Sequence, residues 1–126
     1  MIQPQTLLKV LDNSGAKTVK CIKILGGYKN KTAKIGDIIV VSVKNLRNKF
    51  KTSSKVKKGE VYRAIILKTK KSQINKDGSI CFFNTNSVCL INKQNKPIGS
   101  RISGPIPKFF KKGKYSRFTN LATGTY

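Results

Sequence analysis

The chain of 126 residues is long enough for one domain with a modest core. Its longest apolar run, which begins at Ile38, is far shorter than the roughly 20 residues that a membrane-spanning helix needs. The chain has 27 Lys and Arg residues but only four Asp and Glu residues, which gives a formal net charge of +23. We therefore expect a polyanionic partner, most simply nucleic acid. An anionic membrane surface is the alternative, but it would require an apolar stripe along a helix, and the sequence has none.

Six segments have the composition and spacing of β-strands separated by turn residues. We predict strands at 6–11, 18–25, 38–43, 61–69, 80–83 and 87–91. The nearly continuous Ile and Val of 38–43 indicate a strand that is buried on both faces or that closes a small barrel. The dipeptide Asp77-Gly78 is the strongest hairpin-turn signal in the chain.

After about residue 92 the strand pattern ends, and this part holds three of the four prolines. Short helical turns are the most regular structure expected there. The stretch FFKKGKYSRF alternates aromatic and basic residues, so its aromatic rings could stack on unpaired bases. The preferred alternative is that Phe109, Phe110 and Phe118 anchor this part of the chain to the barrel.

These patterns predict an all-β fold, a small closed barrel from which loops and a hairpin, or β-ribbon, can project, followed by a C-terminal region that holds short helical turns at most. We expect a single domain over 1–126. The barrel and ribbon would occupy about 1–92, and the C-terminal extension about 93–126.

The residue inventory argues against an enzyme. Histidine, the usual general base and the commonest metal ligand, is absent, so we expect no metal and no cofactor. Each carboxylate lies within three residues of a glycine, as turn and cap residues do. A carboxylate hydrolase that used Asp12, Asp37, Glu60 or Asp77 is the remaining enzymatic alternative. The cysteines Cys21, Cys81 and Cys89 have apolar neighbours and no CxxC spacing, which predicts buried free thiols in a reducing compartment.

The segment NLRNKFKTSSKVKKGE, residues 45–60, follows a predicted strand and has a run of basic residues without an acidic one before Glu60. Like charges at this density repel one another unless a counter-charge neutralises them. The sequence therefore predicts a binding loop for a polyanion.

Taken in order, several segments resemble the universal large-subunit ribosomal protein family numbered fourteen. They are MIQPQTLLKVLDNSGAKTVKCIKILGG, GDIIVVSVK, KKGEVYRAIILKTKK, DGSICFFNTNSVCLIN and PIGSRISGPIPK, which together span residues 1 to about 108. The most specific feature is a spacing: AIIL, nine residues, Asp77-Gly78, four residues, Phe83, and Asn86 three residues later. The chain departs from the family pattern at Cys89, in a longer and more basic 44–60 loop, and after Lys108.

The resemblance implies a small closed five-stranded β-barrel with a projecting β-ribbon and a C-terminal region of loops and short helices. It also implies a position on the intersubunit face of the large ribosomal subunit. It implies contacts with large-subunit rRNA, with small-subunit rRNA at bridges, and with the neighbouring ribosomal proteins three and nineteen. A silencing factor that blocks subunit joining docks on family members, so it is a further possible partner; no membrane is implied.

Two sets of residues follow from the basic composition together with this resemblance. Lysine suits phosphate as a point charge, while arginine suits geometrically specific contacts. The candidates for rRNA binding are Lys23, Lys44, Arg47, Lys49, Lys51, Arg63, Lys68, Lys70 and Lys71. The candidates for the intersubunit bridge are Lys96, Arg101, Lys108, Lys111 and Lys112, of which Arg101 is the foremost.

The compartment is inferred from composition. Heavy use of Lys, Asn and Ile fits an AT-rich organelle gene, and MIQPQTLLKV lacks the features of a signal or transit peptide. We expect a ribosome of the mitochondrial matrix, with the plastid stroma or a bacterial cytoplasm as alternatives. A competing function is a free regulatory or chaperone-like RNA-binding module, which would leave the ribosome at high salt.

Overall fold

The computed structural model describes residues 1–47, 54–111 and 113–126. Within these residues the chain forms seven strands, two 3-10 helices and one α-helix. The strands are β1 (Leu7–Val10), β2 (Ala16–Ile24), β3 (Ile38–Leu46), β4 (Val61–Lys68), β5 (Gln73–Ile74), β6 (Ile80–Cys81) and β7 (Ser87–Ile91); the 3-10 helices are Lys108–Lys111 and Gly113–Tyr115, and the α-helix is α1 (Ser116–Leu121).

Five strands form a closed barrel in the order β1-β2-β3-β4-β7. Four of its pairings are antiparallel, and a parallel pairing of β1 with β7 closes the ring. Closure leaves no free strand edge in the barrel wall, which makes the wall a rigid support for loops. The predicted five-stranded barrel is confirmed.

Strands β5 and β6, which follow β4 and precede β7 along the chain, form a separate two-stranded sheet. This hairpin is the ribbon of the structure. The N–H of Gly78 donates to the carbonyl of Asn75 at 3.1 Å, and Gly78 has a φ of 80°. A glycine adopts this left-handed conformation without steric cost. The hairpin turn predicted at Asp77-Gly78 is therefore confirmed, although the predicted strand 80–83 is shorter.

The burial of the strands decides between the two interpretations of the 38–43 segment, a strand buried on both faces and a strand that closes the barrel. Strand β3 alternates, with Ile39, Val41 and Val43 buried and the residues between them half-buried, so it closes the barrel instead of lying buried on both faces. The strands that are buried on both faces are β7 and the 64–67 part of β4. The segment that follows β7 pairs with it: Pro97 bridges to Ile91, and the N–H of Ile98 donates to the carbonyl of Leu90 at 3.0 Å.

The C-terminal region is attached by its aromatic residues and by short bridges to the barrel. Phe110 and Phe118 are buried in the common core, so the anchoring interpretation holds for both. Phe109 is 55% exposed and is not an anchor of this kind. Ile102 forms bridges both to Asp12 and to Ala122, which ties the end of β1, the returning segment and the end of α1 together.

Candidate nucleic-acid interface

The carboxylates serve the fold. Asp37 accepts a hydrogen bond from the N–H of Lys34 at 2.7 Å, and Glu60 accepts one from the N–H of Lys57 at 3.3 Å. These contacts are the turn contacts that the glycine-rich spacing predicts. Among residues 1–47, 54–111 and 113–126, no three His, Cys, Asp or Glu side chains are grouped so that they could hold a metal ion. No helix in the described ranges is long and apolar enough to cross a membrane.

Asp12 is buried and joins the turn after β1 to strand β7. Its Oδ1 accepts from the N–H of Ser14 at 3.1 Å and also from the Ser14 hydroxyl, while its Oδ2 accepts from the N–H of Leu90 at 2.8 Å. The thiol of Cys89 lies 3.6 Å from the same Oδ2, and burial, followed by the charge of Asp12, raises the pKa of that thiol. Because Asp12 is 1% exposed, it cannot reach a substrate.

The cysteines agree in part with the expectation of buried free thiols. All three are free; Cys21 and Cys89 are buried, and Cys81 in the ribbon is half-buried. Burial also raises the pKa of the Cys21 thiol, which lowers the fraction of reactive thiolate. Both buried thiols therefore behave as core residues.

The outer wall of the barrel brings two of the predicted rRNA-binding residues into one row. Lys23 on β2 pairs with Val40 on β3, and Val40 pairs with Arg63 on β4. Directly paired residues of antiparallel strands point to the same face, and strands are about 4.8 Å apart. Lys23 and Arg63 are both exposed, so they flank Val40 with roughly 10 Å between their strands. A phosphate backbone could lie across this row.

The predicted rRNA-binding residues at the end of β3 differ in burial. Lys44 is exposed. Arg47 is half-buried: its Nη2 donates to the carbonyl of Val10 at 3.1 Å, and its N–H donates to the carbonyl of Gly15 at 2.9 Å. Arg47 therefore fastens the start of the 44–60 loop to the barrel. The candidates Lys49 and Lys51 lie outside the described residues.

The three predicted rRNA-binding lysines at the end of β4, Lys68, Lys70 and Lys71, also differ in burial. Lys70 and Lys71 are exposed, and the N–H of Lys70 donates to the side-chain oxygen of Asn86 at 2.8 Å, which fixes the backbone below them. Lys68 is half-buried, with its Nζ 5.3 Å from the centre of the Phe83 ring. Burial lowers the pKa of the Lys68 ammonium. Lys68 thus contributes to packing, in contrast to the two lysines that follow it.

Arg101, the foremost bridge candidate, is exposed on a segment that packs tightly against the turn after β1. The side-chain oxygen of Asn13 accepts from the N–H of Ser100 at 2.8 Å and from that of Arg101 at 3.3 Å. A Cβ added to Gly99 would lie 2.8 Å from the Cβ of Asp12, so no side chain fits there. The backbone that presents Arg101 is therefore held in one conformation.

A comparison with models of known protein families decides what kind of protein has this barrel. The model described as ribosomal protein L14p/L23e matches residues 1–126, the whole chain. The chain belongs to the L14p/L23e family of ribosomal proteins. It is accordingly a structural, non-enzymatic protein of the large ribosomal subunit, as the resemblance of its sequence predicted.

In this L14p/L23e chain the predicted bridge residues that the structure describes lie on two segments, the stretch that follows β7 and the first 3-10 helix. Lys96 is exposed in the turn after β7, where its N–H donates to the side-chain oxygen of Asn92 at 3.1 Å. Arg101 is exposed later in the same segment. Lys108 instead lines a groove of about 910 Å³ between the ribbon and the C-terminal region. Lys111 is exposed at the end of the same 3-10 helix, and Lys112 lies outside the described residues.

Sequence reasoning missed two features of the surface. The tip of the loop between β2 and β3 carries Tyr28, which is 91% exposed and belongs to no predicted site. Lys114 and Arg117 line a cleft of about 380 Å³ with Asn95, so they stand beside the turn that holds Lys96. The first feature is visible in the sequence as GGYKNK, a tyrosine between glycines and lysines, whereas the second depends on how the C-terminal region folds back.

Proposed function

We propose that this protein is an rRNA-binding constituent of the large subunit, and that different parts of its surface contact the RNA of the two subunits. The observation that carries the proposal is the row of Lys23 and Arg63 across the outer barrel wall, in a ribosomal protein with a net charge of +23. Large-subunit rRNA would lie against this wall and continue to Lys44, Lys70 and Lys71.

The contact with large-subunit rRNA is mainly a contact with phosphates. Lysine ammonium groups on exposed strand positions are suited to phosphate oxygens and carry no sequence information. Arg63 lies at one end of the row, on β4, and can hold one phosphate with two nitrogens. Arg47 contributes by fastening the start of the 44–60 loop to the barrel, since its guanidinium donates to the carbonyl of Val10.

The proposed bridge to small-subunit rRNA rests on Arg101 and on Lys96. Both residues are exposed at the end of the barrel that follows β7, and both have a backbone held by asparagine side chains. A fixed backbone lowers the conformational entropy that a contact must overcome. Lys108, which lines the groove, and Lys111, at the end of the same 3-10 helix, form a second proposed contact with RNA.

The finer points of the proposal concern protein neighbours and compartment. The family resemblance supports ribosomal proteins three and nineteen as neighbours and a silencing factor as a transient partner. The ribbon offers an apolar surface for such neighbours, because Ile74 is 72% and Ile80 is 63% exposed. The use of Lys, Asn and Ile supports a ribosome of the mitochondrial matrix, with plastid and bacterial ribosomes as alternatives.

The proposal is tested by ultraviolet crosslinking of RNA to the protein, first in isolated large subunits and then in joined ribosomes. We expect peptides with Lys23 or Arg63 to carry large-subunit rRNA in both samples. We expect peptides with Arg101 to carry small-subunit rRNA in joined ribosomes alone. Large-subunit crosslinks confined to the Arg101 peptide, with none on the barrel wall, would overturn the arrangement.

A further inference from the structure

The loop between β2 and β3 is held by backbone hydrogen bonds, and it contains no residue of the predicted rRNA-binding set or of the predicted bridge set. It starts where the N–H of Leu25 donates to the carbonyl of Ile38 at 3.0 Å. Its second half is held at Ala33, which exchanges backbone hydrogen bonds with Ile2 at 3.0 and 2.7 Å. The N–H of Gly36 donates to the carbonyl of Ile66 in β4 at 2.9 Å. The residues between 26 and 32 therefore extend from a fixed base.

The tip itself is a compact turn. Gly26 has a φ of 102° and Lys29 a φ of 61°, the left-handed conformation that residues other than glycine seldom adopt. The side-chain nitrogen of Asn30 donates to the carbonyl of Gly26 at 3.3 Å, which closes the turn. A Cβ on Gly27 would lie 2.6 Å from that same nitrogen. Tyr28 lies within this turn, between Gly27 and Lys29.

Tyr28 leaves nearly all of its surface in water, although a tyrosine ring is large and mostly apolar. It is 91% exposed, more than the other exposed large hydrophobic residues in the described part of the chain. The Nζ of Lys29 lies 5.3 Å from the centre of its ring. Lys31 and Lys34 are exposed in the same loop, and residues 26–36 contain no carboxylate.

We propose that Tyr28 stacks on an unpaired RNA base while the lysines around it bind the adjoining phosphates. Aromatic rings among Lys and Arg side chains are the usual platform for single-stranded RNA, because every base has a flat face to stack. The inference rests on the proposed function and adds a specific contact to it. The loop is continuous with the barrel wall through Lys23, which precedes Ile24 at the end of β2. A protein partner is less favoured, since the loop offers one ring among cations and no apolar groove.

The chain contains no tryptophan, so the variant Tyr28→Trp has one fluorescent indole at the tip of the loop. The complete protein is titrated with two single-stranded oligomers of equal length, oligoadenylate and an abasic oligomer with the same phosphates. We expect oligoadenylate to quench the fluorescence and the abasic oligomer to leave it nearly unchanged. The matched control is Leu7→Trp, on the barrel wall, where residue 7 is 64% exposed and pairs with Lys20. Because this wall is proposed to contact phosphates, the fluorescence of Leu7→Trp should respond alike to the two oligomers.

Affinity gives a second readout. Loss of one stacked base costs roughly 5- to 150-fold in affinity, so Tyr28→Ala should bind oligoadenylate more weakly by a factor in this range, while Tyr28→Phe binds as the natural chain does. Binding of both oligomers with equal affinity and without selective quenching would overturn the stacking contact and leave the proposed rRNA binding intact. Failure of the natural chain to bind either oligomer or large-subunit rRNA would overturn both.

Discussion

The carboxylate of Asp12 accepts a hydrogen bond of 2.8 Å from the N–H of Leu90, which lies 78 residues later in the chain. The adjacent Asn13 holds the backbone of Ser100 and Arg101 in the same way. One turn, DNSG, therefore joins β1 to β7 and fixes the segment that presents the foremost bridge residue. This turn connects the stability of the barrel with the proposed contact between subunits.

The first prediction concerns Asp12. Replacing it with alanine leaves the buried N–H of Leu90 without an acceptor, so Asp12→Ala should lower the free energy of unfolding by about 2–4 kcal/mol. The measurement is urea unfolding of the purified protein. Asp77→Ala, in the exposed turn of the ribbon, is the control and should change the free energy by less than about 0.5 kcal/mol. Equal stability of the two variants would show that Asp12 does not hold β7.

The second prediction concerns the close approach of Gly99 to the DNSG turn. Gly99→Ala introduces a Cβ 2.8 Å from the Cβ of Asp12 and should cost about 1–3 kcal/mol, because neither backbone can move away freely. Gly124→Ala is the matched control, since a Cβ at that position meets nothing within 4 Å. Thermal unfolding of the two variants should therefore differ, with Gly99→Ala melting first; the same melting temperature for both would contradict the tight packing.

The sequence predicted the barrel well because strand patterns are local. Alternating apolar residues and glycine turns determine β1 to β4 and β7 to within a few residues. The predictions were weaker where distant parts of the chain meet. The burial of Phe110 and Phe118 in the barrel's core depends on the return of the C-terminal region, and no local pattern shows this. Charge likewise predicted that lysines would be exposed, but the half-buried states of Arg47 and Lys68 come from Val10 and Phe83, which are distant in sequence.

The third prediction concerns the bridge. Arg101→Ala removes a guanidinium from a fixed, exposed position and leaves the backbone hydrogen bonds to Asn13 in place. We expect normal incorporation into large subunits and weaker joining to small subunits, measured as the ratio of free subunits to joined ribosomes. Lys9→Ala, which removes an exposed basic side chain of β1 that belongs to neither predicted set, is the control and should leave this ratio unchanged. If Arg101→Ala fails to enter large subunits, its assignment to the bridge is wrong.

The fourth prediction concerns the row on the barrel wall. Each phosphate contact changes the logarithm of affinity by about 0.7–0.9 per logarithmic unit of salt, so the double variant Lys23→Gln, Arg63→Gln should reduce the salt slope by about 1.4–1.8. Binding of the purified protein to large-subunit rRNA over a series of salt concentrations measures this slope. Lys93→Gln, in the turn after β7, should keep the slope of the natural chain. A double variant with an unchanged slope would place the RNA elsewhere.

The most direct test of the whole account is the sedimentation of a tagged copy of the protein from its native extract, on sucrose gradients at low and at high salt. An integral constituent of the large subunit is held by many phosphate contacts and by its protein neighbours together. We therefore predict that the tagged chain migrates with the large subunit at both salt concentrations. Its release into the light fractions at high salt would contradict the account and favour a loosely bound RNA-binding factor.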